Sequence, residues 1–117
     1  MRIGVTRRAA LAGGLGAIAL RPFAKAQSSR LTGQVIVPGD PAYEQARRPA
    51  SFNPTTDRHP QMIVRCSTPE DVARAVVFAR ENDMETAVRS GGHDVLGASV
   101  CDGMVIDLCA AFAKYAF

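Results

Sequence analysis

Arg89-Ser90-Gly91-Gly92-His93, followed by Asp94, Gly97 and Ser99, is the segment of this 117-residue sequence best equipped for chemistry. Adjacent glycines let the backbone take positive φ and approach a ligand with no Cβ in the way. Successive N–H groups in such a turn form a concave nest for an anion, typically a phosphate. A histidine directly after the nest sets a nucleophilic or proton-transferring nitrogen beside whatever is held there. The combination points to a diphosphate cofactor held by backbone amides, with the imidazole as candidate tether. The same residues also suit a bland tight turn with a locally hydrogen-bonded histidine.

Other cofactor and ligand classes fit poorly. A nicotinamide-type dinucleotide loop needs Gly-x-Gly-x-x-Gly opening a helix, whereas residues 94–100 show no helical period. A triphosphate P-loop needs Gly-Lys-Ser/Thr, which is missing. Two histidines, His59 and His93, and three cysteines, Cys66, Cys101 and Cys109, show no metal-ligand spacing. The odd cysteine count argues against a disulfide framework, and small buried residues at strand ends are expected instead.

The elements around the loop are readable from pattern. Met62-Ile63-Val64 is a short apolar run expected to form a buried strand. Thr68-Pro69-Glu70-Asp71 combines an N-cap, a proline at the first helical position and a capping-box spacing. Val72, Ala75, Val76 and Ala79 then recur at helical spacing, and Asn82-Asp83 ends the helix. Glu85–Arg89 is a second strand running straight into the glycines, and Met104–Leu108, after the Asp102-Gly103 turn, is a third. Strand, helix and strand make a βαβ unit with parallel strands, so the fold class is α/β. The Gly91-Gly92-His93 loop then leaves the C-terminal end of a parallel strand, where such sheets place ligands.

The beginning of the chain has a different character. Residues 1–26 read as an export signal: Arg2, Arg7 and Arg8, the apolar run Ala9–Leu20, then Ala24-Lys25-Ala26 as a cleavage site. Thr6-Arg7-Arg8 before a Gly-rich apolar run resembles the twin-arginine type, with a bacterial periplasmic or secreted destination and the twin-arginine export machinery as partner. An apolar run of 12 residues is short for the ~20 that a membrane-spanning helix requires. The segment holds five of the fourteen basic groups and none of the eleven acidic ones, so the net charge of +3 becomes about −2 without it. The basic character therefore belongs to the leader, and nucleic acid is not an expected partner. Residues 27–60, rich in Gly and Pro, are expected to be an irregular lead-in. A short strand near Gln34–Val37, a brief helix near Tyr43–Arg47 and a solvated Arg47-Arg48 pair are its expected features.

Met62–Leu108 resembles the start of the flavin domain of berberine-bridge-enzyme-like, FAD-linked oxidases, in the vanillyl-alcohol-oxidase group. Three blocks carry the resemblance in order: the strand with Thr-Pro-Glu-Asp-Val, then Val-Arg-Ser-Gly-Gly-His, then Asp-Gly before Val-Ile-Asp-Leu. The resemblance implies a PCMH-type α+β FAD-binding subdomain over residues 61–117, incomplete in this chain, after the leader and lead-in. It implies that Arg89, Ser90, Gly91, Gly92, His93 and Asp94 line the FAD diphosphate, with Gly97 and Ser99 closing the loop. His93 is implied as the covalent tether to the flavin 8α carbon. The implied reaction of the intact enzyme is hydride removal from a C–H next to oxygen or nitrogen of a small-molecule substrate. Asp94 departs from the family, which more often has serine or asparagine there. Asp107 is read as a strand-end residue capping backbone amides and not as a catalytic one.

Two other readings use the same residues: a truncated or frame-shifted fragment without activity of its own, and a small secreted anion-binding module. Three strands and one helix also leave a sheet face expected to be bare.

Overall fold

The computed structural model describes residues 30–109. The expected leader over 1–26 and the run after Cys109 lie outside the described residues. Within them the order is β1 (Gln34–Ile36), α1 (Tyr43–Arg47), a 3₁₀ turn (Pro54–Thr56), β2 (Met62–Arg65), α2 (Pro69–Glu81), β3 (Thr86–Arg89) and β4 (Met104–Asp107).

The four strands form one mixed sheet in the order β1-β2-β4-β3. β2 and β3 are each parallel to β4, and β1 is antiparallel to β2. The expected parallel βαβ crossover is present, with one difference: β2 and β3 are not neighbours, because β4 lies between them. The reason is hydrophobic burial. All four residues of β4 are buried, so it takes the centre, while β3 exposes Val88 and sits at the edge.

α2 forms as its sequence signals predict. Thr68 accepts from the Asp71 amide at 3.1 Å, and the Asp71 carboxylate accepts from the Thr68 amide at 3.2 Å and the Ser67 amide at 2.9 Å. The same carboxylate also takes the Thr32 hydroxyl, tying the lead-in to the helix start. Ala75, Phe78 and Ala79 meet Met62, Val64, Met104 and Ile106 on one face of the sheet, with Val72 and Val76 packed alongside.

The other face is not bare. Tyr43 and Ala46 of α1, with Ile36 and Cys101, cover Ile63, Ala87 and Val105. The Tyr43 hydroxyl donates to the Pro60 carbonyl at 2.7 Å, fastening α1 over the sheet. The lead-in therefore supplies most of the cover for this second face. Arg47 departs from the expected solvated pair: it is buried and held by Glu44 at 2.9 Å and by Asp57. A guanidinium at the rim of an apolar face can lie inside once carboxylates from its own helix and the following loop neutralise it. Arg48 remains exposed, its guanidinium over the Phe52 ring at 5.1 Å. Cys66 and Cys101 are buried and free, and burial pushes the Cys66 thiol up to about 11.

Removing the N-cap oxygen in Thr68→Ala should cost about 1 kcal/mol in urea-denaturation stability. The Thr32 hydroxyl and the amides of Ser67 and Thr68 hold the Asp71 carboxyl below its ordinary value. Its contribution is thus complete above an unfolded-state pKa near ~3.9 and disappears as pH falls through the lower folded value. Asp71→Asn should therefore flatten the acid limb of the stability–pH curve.

Candidate functional site at the C-terminal edge of the sheet

Arg65, Asp107 and Arg89 end the three parallel strands in register, Asp107 opposite both arginines. Strand parity puts them on the face that α1 covers. The Arg89 guanidinium, 4% exposed, donates through Nη2 to Asp107 Oδ2 at 2.9 Å and to the Ala46 carbonyl at 2.6 Å. Arg65 Nε lies 3.6 Å from the same carboxylate oxygen. Asp107 Oδ1 accepts from the Cys109 amide at 2.9 Å, the backbone-capping role expected of it. Burial pushes the Asp107 carboxyl up, but hydrogen bonds from Cys109 and Arg89 outweigh it and hold the group below its ordinary value. Arg89 Nη1 is buried and meets no acceptor among the described residues.

The loop beyond Arg89 rests on the lead-in. Gly92 has φ +72°, a left-handed conformation that favours glycine, and a Cβ there would lie 3.0 Å from the Ala50 nitrogen. Its carbonyl accepts from the Ser51 amide at 2.9 Å. Residues 46–51 thus form the back wall of the turn. Gly91 is exposed, and a Cβ there would press on the His93 ring at 2.9 Å, so the absent side chain lets the imidazole fold beside the turn. Ser90 and His93 are exposed, and the Cys109 thiol donates to the Ser90 carbonyl. Among the described residues the amides of Gly91, Gly92 and His93 donate to no protein acceptor.

The second half of the loop is organised around Asp94. The Asp94 carboxylate accepts from the amides of Leu96 at 3.0 Å and Ser99 at 3.2 Å, and also from Ala98. The nest over residues 96–99 is filled by the chain's own anion, so these amides are not free for an exogenous phosphate. The hydrogen bond from Leu96 leads the set that holds the Asp94 carboxyl below its ordinary value. Gly97 packs against the Thr56 side chain, and the buried Ser99 hydroxyl has no partner among the described residues.

Two cavities flank the turn and share Gly91 and Gly92. One, of about 340 Å³, is bordered by Ser90, His93, Asp94 and Ser99. The other, of about 630 Å³, is bordered by Arg48, Arg65, Arg89, Asp107 and Cys109. The sequence located the His93 side. It did not locate the strap of residues 46–51 or the arginine-lined side, although Tyr43, Ala46 and Arg47 at helical spacing were a usable signal for α1 packing inward.

The description FAD binding domain fits residues 60–115. The chain is 41% identical over 83 residues to the uncharacterized FAD-linked oxidoreductase YvdP of Bacillus subtilis (strain 168), covering 69% of this chain and 18% of that protein. The solved 6-hydroxy-D-nicotine oxidase of Arthrobacter nicotinovorans superposes with a TM-score of 0.59 and 34% identity, over 68% of this chain and 17% of that one. BBE-like 1 of Physcomitrella patens shares the fold at a TM-score of 0.62 and 24% identity, over 74% and 19% of the two chains. The chain thus spans about 18% of the length of the curated relatives it matches.

Truncating Asp107 leaves the Arg89 charge buried without its carboxylate. Asp107→Ala should lose about 3–5 kcal/mol in urea denaturation. Gly92→Ala, which forces a side chain into a left-handed backbone, should lose about 1–2 kcal/mol. Equal losses in the two variants would contradict this ordering.

Proposed function

This chain belongs to the FAD-linked oxidoreductases that carry the FAD binding domain, and from that premise we propose that its glycine turn holds the FAD diphosphate and that His93 is the covalent flavin tether. One observation carries the reading. At the C-terminal end of β3, three consecutive amides, those of Gly91, Gly92 and His93, are unpaired among the described residues beside an exposed imidazole.

The residues present fit the group. The turn leaves no Cβ at Gly91 or Gly92, so backbone donors can reach phosphate oxygens directly. The ring of His93, lying against Gly91, offers a nitrogen for a bond to the flavin 8α carbon. Bound FAD would supply the hydride acceptor, and a covalent bond would retain it and raise its potential. Asp94 is the other ionisable group bordering the His93 cavity, and with its carboxylate committed to loop amides it serves as scaffold and not as a base. The intact enzyme's reaction, hydride removal from a C–H next to oxygen or nitrogen, is part of the same proposal. So is export through the twin-arginine route, which suits a cofactor loaded before translocation.

The test is the chain expressed with flavin available. A fluorescent band surviving denaturing electrophoresis is expected for the wild type, and its loss in His93→Ala should leave the circular-dichroism spectrum unchanged, since His93 is exposed. A band that persists in His93→Ala would sink the tether. No flavin bound in either form would sink the FAD reading of the turn.

A further inference from the structure

We propose that Asp94 and Asn53 are positioning residues for the covalent step: they fix the backbone that follows His93, so that its imidazole meets the flavin 8α carbon in one orientation. The inference rests on the tether reading and deepens it. It names what sets the rate of attachment, as distinct from what binds the cofactor.

His93 lies between two clamps. Ahead of it, the Gly92 carbonyl accepts from the Ser51 amide at 2.9 Å. Behind it, the Asp94 carboxylate gathers the amides of Leu96 at 3.0 Å and Ser99 at 3.2 Å, together with that of Ala98. The loop closed in this way is fastened to the lead-in. Asn53 Nδ2 donates to the Val95 carbonyl at 3.2 Å. Gly97, at φ +83°, lies so near Thr56 that a Cβ would be 2.8 Å from that side chain. Residues 51–56 therefore hold the chain on both sides of one exposed histidine.

Apolar burial does not shape this loop. Val95 and Leu96 are 55% and 85% exposed, and Ala98 is exposed as well. Between Asp94 and the buried Ser99, hydrogen bonds to one carboxylate and one contact from Asn53 do that work. A reacting atom misplaced by about 1 Å can cost on the order of 10²-fold in rate, so a clamp next to the nucleophile acts on the step itself. In that step one proton leaves the imidazole and one leaves the 8α methyl group as the C–N bond forms. The two electrons pass through the flavin to dioxygen, giving hydrogen peroxide. No proton is routed through Asp94, whose two oxygens already accept from the loop, so its part is positional.

The full chain is prepared without flavin, FAD is added, and the covalent band is followed with time. Asp94→Ala should slow its appearance at least about ten-fold. Asp94→Asn, which keeps one of the two acceptor oxygens, should fall between Asp94→Ala and the wild type. Asn53→Ala, which frees Val95 and leaves the carboxylate in place, should slow attachment by less than Asp94→Ala. Reversible FAD affinity is read in His93→Ala with and without Asp94→Ala, and the two values should agree. Before FAD is added, the Leu96 and Ser99 amides should exchange hydrogen faster in Asp94→Ala than in the wild type, with the sheet amides unchanged. Attachment at the wild-type rate in Asp94→Ala would overturn the inference while the tether stands. A reversible affinity that falls in step with the rate would assign Asp94 to binding and overturn it too. Should the sheet amides of Asp94→Ala also loosen, Asn53→Ala decides, and a wild-type rate there overturns the inference. No covalent band in the wild type would sink the tether and this inference with it.

Discussion

The buried ion pair between Arg89 and Asp107 is the constraint from which the site follows. It joins the ends of β3 and β4 at 2.9 Å, and through the Ala46 carbonyl it fixes α1 against the same edge. Two charges inside a protein are favourable only when their remaining donors and acceptors are hydrogen-bonded. Asp107 meets that condition through the Cys109 amide, with the Arg65 charge 3.6 Å from its other oxygen. Arg89 meets it only in part: its Nη1 has no acceptor among the described residues.

With α1 held there, residues 46–51 lie against the glycine turn, and Gly92 has the backbone of Ala50 behind it. The turn is therefore shaped by its support before any ligand arrives. Preorganised donors cost less to bring into register with an anion than donors on a free loop. Asp94 extends this on the other flank by filling the amides of Leu96 and Ser99 with its own carboxylate. Asp94 is thus the internal anion that sets the loop's second half. The amides ahead of it, from Gly91 to His93, have no acceptor among the described residues.

Much of this chain could be read without coordinates because the signals are local. The α2 cap was visible in Thr68-Pro69-Glu70-Asp71, since its two hydrogen bonds span only three residues. β2 and β4 were visible as short apolar runs, β3 as the mixed stretch Glu85–Arg89, and the glycine turn as the point where that stretch stops. Strand order was not, because β2 and β4 read alike and only the competition for the most buried position puts β4 in the middle. Arg47 was misread for a related reason: its partner Asp57 lies ten residues away, across a turn whose path the sequence does not reveal.

By itself, then, the sequence determined the elements, the parallel crossover and the position of a glycine turn at a strand end, each set by interactions spanning a few residues. Tertiary structure alone decided that the lead-in covers the second sheet face and that Arg65, Arg89 and Asp107 converge at one edge. It also decided that Asp94 turns inward upon its own loop. Those outcomes depend on where distant backbone segments come to rest, and burial and charge pairing settle that only once the whole sheet is assembled.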